Sequence, residues 1–147
     1  MQSVWITGAS SGIGEACAYR YAEEGARLAL TSSSADRLET VAAKCRQLGA
    51  EEVTVFPFDL TCLDGIDDLT DKVWNALGGI DIVMLNAGIS QRTNVEDTSM
   101  EMVRKIMEIN YFAPVAIAKG LLPKMSARGG GKIAVTTSIA GRFGFPL

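Results

Sequence analysis

Short apolar runs alternate with longer amphipathic stretches from one end of the chain to the other. Five of these runs have the composition of buried strands: residues 4–6, 27–31, 52–58, 80–86 and 131–138. The segments between them carry apolar residues at helical spacing and predict four helices: residues 15–25, 34–49, 64–79 and 99–125. The strands are nearly continuous apolar runs, which is typical of parallel strands buried on both faces.

The alternation of strand and helix predicts an α/β fold. We expect a Rossmann-like, doubly wound parallel sheet of about five strands, in the order 3-2-1-4-5, with helices on both faces. No repeat or linker interrupts the pattern, and 147 residues is an ordinary size for one domain. Residues 1–147 are therefore predicted to form a single domain.

Composition and charge exclude several classes of function. A net charge of −3 provides no electrostatic footprint for nucleic acid, and no apolar run is long enough to span a bilayer. The absence of histidine excludes Ser-His-Asp triads. The three cysteines, Cys17, Cys45 and Cys62, form no CxxC pair, so we predict neither a metal site nor a disulfide framework. We expect a cytoplasmic protein with no membrane or nucleic-acid partner.

A glycine-rich segment, "TGASSGIG" at residues 7–14, joins the first strand to the first helix. In such a turn Gly8 allows the chain to reverse tightly, Gly12 lets a pyrophosphate approach the backbone, and Gly14 lets the helix pack closely on the sheet. Free amides at the helix start favour an anion. A glycine-rich turn without a ligand is the alternative, but the position between strand and helix favours a dinucleotide site.

This segment resembles the cofactor loop of the short-chain dehydrogenase/reductase family. Further matches follow in the family's order: Asp59-Leu60 after the third strand, "NAG" at residues 86–88 after the fourth, Asn110 in the long helix and Ser138 at the end of the fifth strand. The resemblance covers essentially the whole chain. It implies hydride transfer between NADP(H) or NAD(H) and a small-molecule carbonyl/alcohol pair, with no metal.

The resemblance also implies roles for individual residues. The implied cofactor-binding residues are Thr7, Gly8, Ser10, Ser11, Gly12, Ile13, Gly14, Ser32, Ser33, Asp59, Leu60, Asn86, Ala87 and Gly88. Asp59 would contact the adenine ring, Asn86 would tie the fourth strand to its neighbours, and Ala87 and Gly88 would flank the ribose. Read singly, the same residues also suit ordinary turns.

Two residues are implied to be catalytic, Asn110 and Ser138. Pro114 has no N–H, so the carbonyl of Asn110 loses its helical partner and can hold an ordered water. In the family the matching Asn anchors water in a proton relay. A hydroxyl at position 138, at the carboxyl end of a strand, can polarise a substrate carbonyl. A proline kink and a strand-end serine bonded to its own backbone are the alternatives.

The end of the second strand bears on the choice of cofactor. NAD sites usually place an acid there, on the ribose diol, whereas this chain reads "TSSSADR" at residues 31–37. Ser32 and Ser33 are small donors without a repelling carboxylate, and they favour NADP over NAD. The arginine usual in NADP sites is also missing, unless Arg37 folds back.

The family's catalytic Tyr-x-x-x-Lys, which lies a dozen or so residues beyond the serine, is not present. Tyr19, Tyr21 and Tyr111 are the only tyrosines, and none has Lys four residues later. We therefore expect residues 1–147 to be the N-terminal, cofactor-binding portion of a longer oxidoreductase, inactive alone. A non-catalytic dinucleotide sensor or interaction domain, and a Rossmann-like domain that binds no cofactor, stay open.

Association is also implied by the resemblance, because the family's matching long helix packs against its symmetry mate in dimers and tetramers. We expect a homo-oligomer in the complete protein. The helix carries a wide apolar stripe of Met102, Ile106, Ile109, Ala113, Ala116 and Ile117. Ordinary packing on the sheet is the alternative explanation for one side of this stripe.

Overall fold

A computed structural model describes residues 1–144, so residues 145–147 of the predicted domain lie outside the described residues. The strands are β1 (Ser3–Thr7), β2 (Arg27–Ser32), β3 (Glu52–Pro57), β4 (Ile82–Leu85) and β5 (Lys132–Val135). The helices are α1 (Gly12–Glu23), α2 (Ala35–Leu48), α3 (Ile66–Leu77), α4 (Met100–Met107) and α5 (Ala113–Ala127). Three short turns complete the described elements: Leu63–Gly65 and Ile139–Gly141 are 3-10, and Glu108–Phe112 is a π-turn.

The strands form one parallel sheet in the order β3-β2-β1-β4-β5, which confirms the predicted fold class and strand order. Side chains alternate between its two faces. Val4 and Ile6 pack with α1 and α2 in one core cluster. Trp5, between them, packs with α3 and α5 in the other, and its indole Nε1 donates to Thr31 Oγ1 at 2.9 Å. The buried indole is thus packed in the core, and its N–H has a hydrogen-bond acceptor.

The single long helix expected over residues 99–125 is present from Met100 to Ala127, but a π-turn interrupts its regular hydrogen bonding. The helix α4 ends at Met107, and α5 begins at Ala113. Between them the amide of Ala113 donates to the carbonyl of Glu108, five residues earlier. Pro114 cannot donate to the carbonyl of Asn110, so the i→i−4 ladder is interrupted at this point.

The fifth strand is shorter than predicted. It was expected to reach Ser138, but β5 ends at Val135. The amide of Thr136 still donates to the carbonyl of Leu85 at 3.1 Å, which is the last bond between this segment and β4. Ser138 therefore lies on a separate turn, beyond the carboxyl end of the strand.

Candidate functional site

A cleft of about 800 Å³ opens at the carboxyl ends of the parallel strands, the edge where doubly wound folds bind their ligands. Most of the predicted site residues meet there. Those that line the cleft are Gly8, Ser10, Ser11, Ile13, Ser32, Ser33, Asp59, Leu60, Asn86, Ala87, Gly88, Asn110 and Ser138. The remaining three, Thr7, Gly12 and Gly14, belong to the glycine loop itself or to its supports.

Thr7 joins the end of β1 to the end of β4. Its hydroxyl oxygen accepts from the amides of Asn86 and Ala87 at 3.1 and 3.2 Å, and its hydroxyl donates to the carbonyl of Met84 at 3.4 Å. The side chain is 2% exposed. Thr7 thus acts by holding "NAG" in register with the glycine loop rather than by facing the cleft.

The three glycines of the loop meet different surroundings. Gly8 has φ +66°, and a Cβ there would lie 2.7 Å from the Cα of Ala87. A Cβ on Gly14 would overlap the carbonyl oxygen of Gly8 and lie 2.7 Å from Asn86 Nδ2. Gly12 has φ +58°, and a Cβ there would meet no atom within 4 Å. Gly8 and Gly14 therefore permit close packing within the protein. Gly12 leaves the backbone without a side chain at a place where no protein atom lies close to it.

The start of α1 is arranged like an anion site. Ser11 is its N-cap residue, with extended backbone, but the side chain makes no capping hydrogen bond. The side chain of Ile13, in the first turn, is 61% exposed and lines the cleft. Backbone amides of a first helical turn lack intrahelical partners and attract negative charge. Together with the open backbone at Gly12, this arrangement fits the pyrophosphate of a dinucleotide.

Asn86 links three strand ends. Its Nδ2 donates to the carbonyl of Gly8 at 3.4 Å, and its Oδ1 accepts from Thr136 Oγ1 at 2.9 Å. The predicted connection of the fourth strand to its neighbours is therefore present in the structure. The sequence reasoning missed Thr136, although its hydroxyl directly follows the fifth apolar run.

Asn110 holds the chain that follows "NAG". Its Nδ2 donates to the carbonyl of Ile89 at 2.8 Å, and its Oδ1 accepts from the amide of Ile89 at 2.9 Å. A Cβ on Gly88 would lie 3.5 Å from that same Oδ1. The side chain thus shapes the cleft wall from within the π-turn. Its part in a water relay stays a prediction.

Ser138 caps the turn Ile139–Gly141, because its Oγ accepts from the amide of Ala140 at 3.1 Å. This bond uses the oxygen as an acceptor and leaves the hydroxyl proton free to donate elsewhere. The residue is exposed and lines the cleft. Its catalytic role stays a prediction.

Asp59 is the one charged residue among the described residues that line the cleft. Both the amide and the hydroxyl of Thr61 donate to Asp59 Oδ1 at 2.9 Å. These hydrogen bonds hold the pKa of the Asp59 carboxyl below its usual value. Leu60, beside it, is nearly buried and forms apolar floor.

Two serines occupy the end of β2. Ser32 is 9% exposed, and its Oγ accepts from the amide of Ser34 at 3.2 Å. Ser33 is exposed and also lines the cleft. Arg37 lies on α2 and is not among the described residues that line the cleft.

The cleft has further lining residues that the sequence reasoning did not assign to the cofactor site or to catalysis. They are Phe58, Leu85, Ile89, Ser90, Ile109, Pro114, Val135, Thr136, Thr137 and Gly141. Nearly all of them adjoin a predicted site residue in the sequence or follow a strand by a few positions. Adjacency to a predicted site residue or to a strand end was therefore the sequence signal that could have identified most of these lining residues.

A family model described as short chain dehydrogenase matches residues 2–147. The chain belongs to the short-chain dehydrogenase/reductase family. A curated relative, "Dehydrogenase/reductase SDR family member 7" of Homo sapiens, is 40% identical over 147 residues, which cover 98% of this chain and 43% of the relative. The chain thus spans less than half the length of that family member.

Two solved structures of dehydrogenases superpose closely on this chain. A 7 alpha-hydroxysteroid dehydrogenase complexed with NADH and 7-oxo glycochenodeoxycholic acid is 30% identical with a TM-score of 0.91, and the match covers 98% of this chain and 56% of that one. An alcohol dehydrogenase from the archaeon Thermococcus sibiricus, complexed with 5-hydroxy-NADP, is 33% identical with a TM-score of 0.88, covering 97% and 61%. Both relatives carry a nicotinamide dinucleotide.

Neither a membrane-spanning helix nor a metal site is present among the described residues. Across residues 1–144, no helix combines the length and apolar character needed to cross a membrane. Within the same range, no group of three or more His, Cys, Asp or Glu side chains is arranged to hold a metal ion.

Proposed function

We propose that this chain is the cofactor-binding portion of an oxidoreductase that transfers hydride between NADP(H) or NAD(H) and a small-molecule carbonyl/alcohol pair. The observation that carries the proposal is the cleft, which brings the glycine loop, Asp59, residues 86–88 and Ser138 to one edge of the sheet. Membership of the short-chain family, and the dinucleotides named for its solved relatives, support it.

The residues of the cleft divide by chemistry. The open backbone at Gly12, the hydroxyls of Ser10 and Ser11 and the first turn of α1 would hold the phosphates. Asp59 and Leu60 would face the adenine, and Ala87 and Gly88 would flank the ribose. When bound, the cofactor supplies or accepts the hydride.

Ser138 would polarise the substrate carbonyl. The Ala140 amide orients its oxygen at 3.1 Å and leaves its proton free to donate. Residues 1–147 contain no Tyr-x-x-x-Lys to act as the general acid and base. We therefore expect this chain alone to bind cofactor without turnover.

NADP is the preferred cofactor in this proposal. Among the described residues, no Asp or Glu lines the cleft at the end of β2. The exposed Ser33 offers a small hydrogen-bond donor at this place. A 2′-phosphate would meet no repulsion at this place, whereas an NAD site usually has an acid there. A Ser33→Asp variant should therefore shift the preference from NADPH toward NADH.

The complete protein is proposed to be a homo-oligomer. Ala113 and Ile117, two residues of the expected stripe, are buried against the sheet and cannot form an interface. A neighbouring row along α4, the π-turn and α5 remains exposed and apolar: Val103, Met107, Tyr111, Val115 and Leu122. This row is the better candidate for association. The cytoplasmic location stays a prediction.

Binding of NADPH to this chain, measured by calorimetry, tests the proposal. Gly12→Ala should weaken binding by about tenfold or more, because its methyl group would enter the open backbone space, and tenfold corresponds to about 1.4 kcal/mol. Gly25→Ala is the matched control: Gly25 has φ +73°, and a Cβ there would meet an atom only at 3.9 Å. Both variants carry similar backbone strain. Failure of the wild-type chain to bind either nucleotide would favour a Rossmann-like domain without cofactor.

The glycine loop and the first turn of α1 would serve equally in a second candidate, a dinucleotide-binding domain without catalysis. The intact mass of the protein from its native source separates the two. A mass above that of this chain, with NADPH-dependent carbonyl reduction, supports the oxidoreductase. A mass equal to that of this chain, with binding and no turnover, supports the non-catalytic domain.

A further inference from the structure

An acidic residue, Glu15, occupies the first turn of α1, the turn whose amides the proposed function assigns to phosphate. Glu15 donates its own amide to the carbonyl of Ser11 at 3.4 Å, and Ser11 lines the cleft. A carboxylate that turned toward this helix end would be attracted by the helix dipole. It would then compete with a bound anion for the same positive region.

Tyr19, one turn further along α1, binds the Glu15 carboxylate. Its hydroxyl donates to Glu15 Oε1 at 2.7 Å, as positions four apart share one helix face. The bond to Glu15 raises the pKa of Tyr19 to about 12, so the hydroxyl keeps its proton throughout the neutral range.

The Tyr19 ring is itself anchored against the neighbouring helix. It packs on the core cluster that α1 and α2 share, and Lys44 Nζ of α2 lies 5.6 Å from its centroid. The hydroxyl is therefore a fixed donor. The ammonium of Lys44 places a positive charge beside the Tyr19 ring.

We propose that Tyr19 is a positioning residue of the dinucleotide site: it holds the Glu15 carboxylate toward α2 and away from the amides at the start of α1. The inference rests on the proposed function, because it concerns how the same helix end receives phosphate. Loss of the Tyr19 hydroxyl would free an acidic side chain beside that helix end. Binding of a polyanionic nucleotide would weaken although no residue that contacts the nucleotide had changed.

The test measures the NADPH dissociation constant of Tyr19→Phe in the full chain. We expect binding about three- to fivefold weaker at low salt, which is the range of a single charge at a helix end. The loss should shrink when salt is raised from about 0.05 to 0.5 M, because the Debye length falls below about 5 Å. Tyr19→Phe/Glu15→Gln should restore the wild-type constant. Tyr21→Phe is the matched control, since Tyr21 is on the same helix but lines a separate groove with Gln2 and Lys132.

Different failures have different meanings. If wild-type chain binds NADPH and Tyr19→Phe binds it equally well, the inference is overturned while the proposed function stands. If the double variant keeps the loss, Tyr19 acts through packing, and the inference is again overturned. If the wild-type chain binds no dinucleotide, the proposed function and this inference both fail.

Discussion

The two sides of the cleft differ in how much protein surrounds them. On one side β1 is buried along its whole length, and Gly14 of α1 packs directly on Gly8 and Asn86. On the other side β5 is an edge of the described sheet, hydrogen-bonded only to β4. Val135 and Ile139 are 54% and 64% exposed there.

Within residues 1–144, this difference separates a preorganised half of the site from one that few of the described residues support. The glycine loop is fixed at Gly8 and Gly14 by packing that tolerates no added atom, so its geometry and the stability of the fold depend on the same contacts. Ser138 depends on a single short turn, and such segments open at low cost. Substitutions in the first half should change both stability and binding, and those in the second half should change neither.

The largest expected effect is that of Gly14→Ala. Its methyl group would overlap the carbonyl of Gly8 and crowd Asn86 Nδ2, and overpacking of this kind costs about 1–3 kcal/mol. Urea unfolding should show this loss, and NADPH binding should fall by more than about tenfold because the loop must shift. Ser138→Ala provides the contrast and should change neither value. Equal behaviour of the two variants would remove the proposed difference between the halves.

A smaller effect is expected at Thr7, whose hydroxyl fixes "NAG" to β1. Thr7→Val keeps the shape but leaves the amides of Asn86 and Ala87 without their acceptor, at a cost of about 2 kcal/mol. Thr7→Ser retains the oxygen and should keep most of that free energy of unfolding. Thermal and urea unfolding of both variants measure the difference. A valine variant as stable as the serine variant would show that the hydroxyl does not hold the two strand ends together.

Much of the preorganised half could be predicted, since its signals are local in the sequence. The position of "TGASSGIG" between a strand and a helix was enough to assign separate purposes to Gly8, Gly12 and Gly14. The strand order followed from the alternation of elements, because right-handed crossovers leave few topologies.

The contacts that orient the remaining side chains could not be predicted, because they join distant parts of the chain. Asn110 bonds to Ile89, and Asn86 bonds to Thr136, through geometry that no spacing in the sequence encodes. The π-turn at Glu108–Phe112 was missed for a different reason. Pro114 predicts that an i→i−4 hydrogen bond of the helix is lost, but it does not indicate whether the helix kinks, ends or widens into a π-turn.

The smallest expected effect concerns acid, and it tests whether Asp59 is ordered by its own turn. Its folded pKa is below the unfolded value of about 3.9. The carboxylate therefore contributes stability that is fully present above the unfolded pKa and is lost as the pH falls through the folded pKa. Thr61→Ala removes one of the two donors to Asp59 Oδ1 and should reduce that contribution.

Urea midpoints of wild type and Thr61→Ala, compared between about pH 2 and pH 6, measure this effect. The gap between them should be widest near pH 6 and should shrink toward pH 2. Thr40→Ala is the control, because Thr40 Oγ1 donates to the backbone carbonyl of Asp36 at 3.0 Å and not to a carboxylate. Its cost should not vary with pH. A gap for Thr61→Ala that is equally constant would contradict an Asp59 carboxylate ordered by Thr61, and would leave the adenine end of the cleft as loosely held as the turn at Ser138.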